Sequence, residues 1–300
     1  MLSTCDASEL IGHFDVLFLD LDGVVYRSGH AVEHAVESLN LASAQGIELR
    51  FLTDNASRTP AQVAAILCDF GLDVDERSVI TSAMAIAQVM ASELPAGSSI
   101  YVVGHEGLEV ALTEVGLQPT RDVAADVSAV VQGHSPETNW RNLADAGHLI
   151  ASGLPWYASN TDATIPTDSG QAPGNGAFVR LLQELTGKTP QVAGKPFAPL
   201  FTAAQASVSG QALMIGDRLD TDIEGANSQA IASTWVNTGV HGVNDLIAAR
   251  PELRPGYVIG NLSGLFRPQH AVHIEGTTAS CGAAVATSVD GRIEIRHTSE

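Results

Sequence analysis

Short, wholly apolar runs alternate along this chain with segments whose apolar positions recur every three or four residues, the pattern of buried parallel strands separated by helices. The first run, Val16–Leu19, leads into Asp20, Leu21, Asp22 and Gly23. Polar groups at that end matter, because open α/β sheets bind ligands beyond the carboxyl ends of their strands. A helix is predicted over 31–45, closed by Gly46, followed by a buried strand over 47–52 that runs into Thr53, Asp54 and Asn55. A second helix is predicted over 57–70, with Pro60 early in it and Gly71 after its end.

Past Thr81 the alternation continues with helices over 83–93, 106–115 and 139–147 and strands over 100–103, 129–131 and 156–159, which read as a second, smaller α/β layer. From 191–195 the first pattern resumes, with a helix over 199–206, a strand over 212–215, a helix over 223–229, a strand over 232–236 and an edge strand over 256–259. The fold class is therefore α/β, a doubly wound parallel-sheet core with a second α/β domain inserted into it. The expected domains are residues 1–81 and 189–265 for the two parts of the core, 82–188 for the insertion and 266–300 for a C-terminal extension. That extension reads as a β-hairpin, because Asp290-Gly291 between two short runs supplies the positive φ angles of a tight turn.

Charge narrows the function classes. Fifteen Lys and Arg against 34 Asp and Glu over 300 residues leave a formal charge of −19, and no cationic cluster stands out, which argues against nucleic-acid and anionic-membrane partners. The three cysteines, Cys5, Cys68 and Cys281, are far apart and form no CxxC, so neither a disulfide framework nor a zinc site is encoded and a reducing cytoplasm is expected. The first 13 residues lack the basic and apolar stretches of a signal peptide, and Asp20 and Asp22 cut the apolar run that follows.

Four constellations carry candidate chemistry. Asp20 and Asp22, two apart on an extended segment, project to one side, where such a pair can bind a divalent metal or divide nucleophilic and proton-handling work; the alternative is helix capping by a strand-end Asp. Thr53, Asp54 and Asn55 offer a hydroxyl and neighbouring amides at another strand end, or a turn. Lys195, between Gly194 and Pro196, is a scarce cation where the first domain resumes, set against the reading of a solvated surface lysine. The strand at 212–215 leads into Gly216, Asp217, Arg218, Leu219, Asp220, Thr221 and Asp222, which would complete an oxygen-rich magnesium site with Asp20, with helix capping as the reading for Asp220. An EF-hand loop fails at both acidic clusters: the glycine after Asp20 comes too early, and the twelfth position of a loop starting at Asp220 is Ile231. Gly187-Lys188-Thr189 lacks the earlier glycine of a P-loop, and Gly174-Asn175-Gly176 has Val179 where a dinucleotide loop needs its third glycine; both read as turns.

Asp20-x-Asp22-Gly23, Thr53, Lys195 and Gly216-Asp217 with Asp222, in that order, resemble the haloacid dehalogenase superfamily of phosphohydrolases. The long segment between Asn55 and Lys195, with 51–57, 159–162, 173–177 and 216–222, is similar to the NagD and p-nitrophenyl phosphatase-like group, over roughly residues 15–265. The chain departs from that group at Asp54, where Asn is usual, and at Gly133-His134.

The resemblance implies a core with an α/β cap and a magnesium-dependent phosphatase. Asp20 would attack phosphorus, and Asp22 would protonate the leaving group and then activate water. Thr53, Asp54, Asn55 and Lys195 would bind the phosphate. The metal would be held by Asp20, Asp217 and the backbone carbonyl of Asp22, with Asp222 orienting Lys195 or a metal-bound water. Asn160, Asp162 and Asn175 are candidates for the substrate pocket or for turn stabilisation. The implied partner is a small-molecule phosphate ester, leaning to glycerol phosphate or phosphoglycolate. Nucleotides, sugar phosphates and pyridoxal phosphate are alternatives, as is a non-catalytic module that binds a phosphorylated metabolite. Oligomeric state has no sequence signal, although a cap of this kind is compatible with a homodimer.

Overall fold

A computed structural model describes residues 9–167, 170–268, 272–281, 284–289 and 292–297. Its contacts divide into two units, residues 14–262 and the two terminal segments, 1–13 with 263–300.

In the larger unit, β1 (Val16–Leu19) is buried at every position, as a strand covered on both faces must be. A hairpin of β2 (Tyr26–Arg27) and β3 (His30–Ala31) follows, and only then α1 (Ala35–Ala44). The predicted helix over 31–45 thus begins four residues late, because His34 takes a left-handed conformation and ends the hairpin segment. β4 (Glu48–Thr53) precedes α2 (Pro60–Asp69), whose start is fixed by a reciprocal capping box between Thr59 and Gln62. β5 (Val79–Thr81) is a short buried strand that the pattern did not resolve, and α3 (Ser82–Glu93) leaves it directly, capped by the Thr81 hydroxyl.

The next stretch comprises β6 (Ser99–Val103), α4 (Glu106–Glu114), β7 (Gln118–Thr120), β8 (Val127–Gln132), α5 (Trp140–Ala151), β9 (Trp156–Ala158), a hairpin of β10 (Thr164–Thr167) and β11 (Gly170–Pro173), α6 (Asn175–Thr186) and β12 (Gln191–Val192). Helix α6 lies between the two glycine motifs expected to be turns. Gly174 is its N-cap, and Gly187, at φ 67°, closes it in the left-handed conformation that glycine adopts without a Cβ penalty. Then come α7 (Ala198–Ala206), β13 (Ala212–Gly216), one π-helical turn at Leu219–Ile223, α8 (Glu224–Ser228), β14 (Ala232–Val236), α9 (Val243–Ala248) and β15 (Tyr257–Ile259).

Two parallel sheets result. The six-stranded sheet runs β15-β14-β13-β1-β4-β5 and the five-stranded one β12-β9-β8-β6-β7. Residues 191–192, expected in the resumed core, pair instead with the edge of the second sheet. One apolar cluster spans both sheets: Val16, Phe18, Leu52 and Met214 from the first join Ile100, Val102, Ala129, Val131 and Tyr157 from the second through Ala83, Ile86, Ala87 and Met90 of α3. The sheets are therefore fastened by shared core rather than by a wetted surface contact. Register decides what lies at the carboxyl edge of the first sheet: Leu19 is opposite Ile215 on one side and Phe51 on the other. Asp20, Gly216-Asp217 and Leu52-Thr53 consequently leave the sheet at one level, on three adjacent strands. Among the described residues no helix is long and apolar enough to cross a membrane.

In the smaller unit, Leu10 and Ile11 are buried, and Glu9 bridges to Pro268. Four antiparallel strands follow in sequence order, β16 (Val272–Glu275), β17 (Thr278–Cys281), β18 (Ala284–Val289) and β19 (Arg292–His297). Residues 290 and 291, the expected hairpin turn, lie outside the described residues; Val289 and Arg292 on either side are paired.

Candidate active site

Three strand ends converge on a buried lysine. Lys195 is 4% exposed, and its ammonium donates to Asp20 Oδ1, to Asp222 Oδ1 at 2.7 Å and to the Leu52 carbonyl at 3.4 Å. A surface role for it is excluded. Burial pulls its pKa down, but Asp20, Asp222 and Asp54 together outweigh that and hold it well above the ordinary lysine value. The second Asp222 oxygen accepts from the backbone N–H of Arg218 at 3.1 Å, so this carboxylate is engaged on both sides.

Asp217 is wholly buried. Its Oδ2 accepts from the Val240 N–H at 2.5 Å, whereas Oδ1 has no hydrogen-bond partner. One carboxylate oxygen each from Asp20, Asp217 and Asp222 lie within 4.8 Å of one another. Burial, with the charges of Asp20 and Asp222, pushes the Asp217 pKa up to about 8. Hard oxygen donors crowded around an orphaned carboxylate oxygen fit a divalent cation such as magnesium. Gly23, at φ 89°, belongs to the same packing: a Cβ there would stand 2.7 Å from Asp217 Oδ2.

Asp22, two residues after Asp20, reaches solvent. Loss of hydration nevertheless raises its pKa, with Lys195 and Arg58 opposing and Asp162 adding to the rise. Asp20 is raised by burial against the pull of Lys195, and Asp222 is raised by burial to about 6. Thr53 is buried, and its hydroxyl oxygen accepts from the Asn55 N–H at 3.1 Å, which leaves its proton available to donate. Asn55 Oδ1 accepts from the N–H and the hydroxyl of Ser57, at 2.9 and 2.7 Å. Asp54 Oδ1 accepts from the Lys195 backbone N–H at 2.9 Å.

The inserted segment brings three of the expected residues here. Asn160 is buried and donates to the Asp54 carbonyl at 2.6 Å, while Asn175, also buried, donates to the Asn160 carbonyl at 2.7 Å. Both amide nitrogens thus hold backbone carbonyls, whereas Asn175 Oδ1 is buried without a hydrogen-bond partner. Asp162 sits 3.6 Å from Arg218 and within electrostatic reach of Asp54 and Asp22. His134 is half-buried, and burial, followed by the nearby His105, lowers its pKa.

Several contributors escaped the sequence reading. Arg218 forms a two-point contact with Asp220 at 3.1 and 3.0 Å besides its link to Asp162; its scarcity as a cation inside the 216–222 motif was the available signal. The Val240 N–H and the Trp235 indole, which donates to the Asp217 carbonyl at 3.0 Å, gave no signal, since backbone donors and distant aromatics carry no local motif.

A haloacid dehalogenase-like hydrolase model matches residues 17–118, and a second HAD-hydrolase-like model matches 192–265. The chain is 42% identical over 252 residues to a D-glycerol 3-phosphate phosphatase of Mycobacterium tuberculosis, covering 84% of this chain and 70% of that one. It is 32% identical over 237 residues to an acid sugar phosphatase of Staphylococcus aureus, covering 78% and 90%. A crystal structure of the M. tuberculosis glycerol phosphate phosphatase in complex with magnesium superimposes with a TM-score of 0.84 at 37% identity, over 95% of this chain and 88% of that one. Sequence, fold and the order of acidic strand ends agree, and the chain belongs to the haloacid dehalogenase-like hydrolases.

Proposed function

We propose that this phosphatase hydrolyses a small phosphomonoester, with glycerol phosphate the preferred substrate, through an aspartyl-phosphate on Asp20. The observation that carries the site assignment is the buried ammonium of Lys195 between Asp20 and Asp222, beside the unpaired Oδ1 of Asp217. The choice of glycerol phosphate over phosphoglycolate rests on the two M. tuberculosis comparisons.

In this reading a carboxylate oxygen of Asp20 forms a bond to phosphorus as the bond from phosphorus to the ester oxygen breaks. Asp22 gives its proton to the departing alkoxide, a role its raised pKa supports. Water then attacks phosphorus, Asp22 takes its proton, and inorganic phosphate leaves with Asp20 regenerated. Thr53 and Lys195 steady the phosphoryl oxygens, and Asp222 holds Lys195 in place. Asp20, Asp217 and the Asp22 carbonyl would hold a magnesium ion, which would supply positive charge against the entering dianion.

Residues 82–188 serve as a cap over this crevice, a reading supported by the Asn160 and Asp162 contacts. The assembly is a cytoplasmic homodimer without nucleic-acid or membrane partners; light scattering coupled to gel filtration tests its mass. The substrate is tested by measuring phosphate release, with magnesium, from glycerol 3-phosphate, phosphoglycolate, sugar phosphates, nucleoside monophosphates and pyridoxal phosphate. Failure to hydrolyse any of them, or p-nitrophenyl phosphate, would overturn the proposal.

A further inference from the structure

Asp54 directly follows the end of β4, among groups that bind phosphate in the reading above. Its contacts run elsewhere. Its carbonyl accepts from the Ser82 hydroxyl at 2.8 Å and from Asn160 Nδ2 at 2.6 Å, which fixes the residue from both sides. Its Oδ1 accepts the backbone N–H of Lys195 at 2.9 Å. Two residues earlier, the Leu52 carbonyl accepts from the ammonium of the same lysine at 3.4 Å. One strand end therefore grips Lys195 at its backbone and at its tip.

The adjoining Gly194 is pressed into this contact. Its N–H donates to the Ser159 carbonyl at 2.7 Å. A Cβ there would stand 2.7 Å from that oxygen and 2.9 Å from Asn160 Cβ, and would collide with Asp54 Oδ1. The backbone of 194–195 is thus clamped between the Asp54 carboxylate and residues 159–160, with no slack on either side.

We propose that Asp54 is a positioning residue for the hydrolysis, acting through Lys195: its side chain anchors the lysine backbone so that the ammonium falls between Asp20 and Asp222. The inference rests on the functional reading above and adds to it a residue that touches neither the reacting atoms nor the metal.

The test compares Asp54→Asn, which keeps an oxygen at the Oδ1 position, with Asp54→Ala and Asp54→Ser, which do not reach the Lys195 N–H. With p-nitrophenyl phosphate and magnesium, the Ala and Ser variants should lose about tenfold or more in kcat/KM, the scale of one well-placed hydrogen bond, and Asn less than about threefold. Inhibition by inorganic phosphate should weaken in the Ala and Ser variants and stay within about twofold for Asn. The second short variant serves should Ala fail to fold. Equal losses in Asn and Ser, kcat/KM within about twofold of wild type in Ala, or markedly tighter phosphate inhibition in Asn would overturn the proposal; the last is the result expected of a carboxylate facing the phosphate. An inactive wild type would sink the functional reading instead, and phosphate binding by calorimetry across the same variants would then decide the role of Asp54.

Discussion

Removing the divalent cation should destabilise the protein by an amount that grows with pH, and the size of the effect follows from Asp217. In the folded, metal-free protein its pKa is about 8 against 3.8 for the unconstrained group. Between these values the folded state keeps a proton that the unfolded state releases, so the free energy of unfolding falls as pH rises, by about 1.36 kcal/mol per pH unit for this group. Lys195 does not oppose the trend, since a lysine held above its ordinary pKa contributes stability that is fully present throughout this window. A bound cation takes the place of the proton, so its apparent affinity strengthens about tenfold per pH unit up to about pH 8. From pH 5.5 to 7.5 the stabilisation by saturating magnesium should therefore increase by about 3 kcal/mol, which moves the midpoint difference by roughly 5–10 °C. Thermal unfolding followed by circular dichroism, with excess magnesium or excess chelator at each pH, measures it. A difference independent of pH, or one that shrinks as pH rises, would refute the reasoning.

Three further outcomes are expected. Asp20→Asn should abolish turnover of p-nitrophenyl phosphate with an unchanged circular dichroism spectrum, and turnover near wild type would remove Asp20 as nucleophile. Asp22→Asn should slow the reaction most for alkyl phosphates, whose leaving groups need a proton, and least for p-nitrophenyl phosphate; uniform slowing across a leaving-group series argues against the proton role. Lys195→Met leaves Asp20 and Asp222 buried without their cation and should cost about 3–5 kcal/mol of stability, read as a drop in denaturation midpoint that a loss within 1 kcal/mol would contradict.

What the sequence disclosed depended on how local the signal was. β1 and β13 announce themselves as apolar runs ending in acids, and their in-register pairing turns that linear pattern into a shared edge. β5 and β7, three residues each, are too short for any period to show. α6 was hidden by its own ends, because glycines that cap a helix carry the same signal as glycines that turn a loop, although Val179 and Leu182 inside it are spaced as one buried face. At the site, Asp20, Thr53, Lys195 and Asp217 were legible because each sits beside a strand end or a chain-reversing residue. The pairing of Lys195 with Asp222, 27 positions apart, was implied by the resemblance, whereas that of the Lys195 backbone with Asp54 spans 141, a distance at which only the folded register brings partners together.

The same crowding ties the proposed cation site to the stability of the fold. Asp20, Asp22, Asp54, Asp162, Asp217 and Asp222 all have raised pKa values, with burial the first cause in each. Against them stands Lys195, while the guanidinium of Arg218 is largely committed to Asp220. A phosphate dianion cannot enter such a cluster unless positive charge enters with it or protons are retained. The excess of carboxylate thus favours a divalent cation as the companion of the substrate, while burial, ahead of the charge of Asp162, raises the Asp22 pKa above that of a solvated aspartate, as the proton role proposed for it requires. Neutralising one buried acid to stabilise the metal-free fold should therefore also weaken the cation site, because a carboxylate that repels its neighbours in the metal-free fold attracts the cation when it binds.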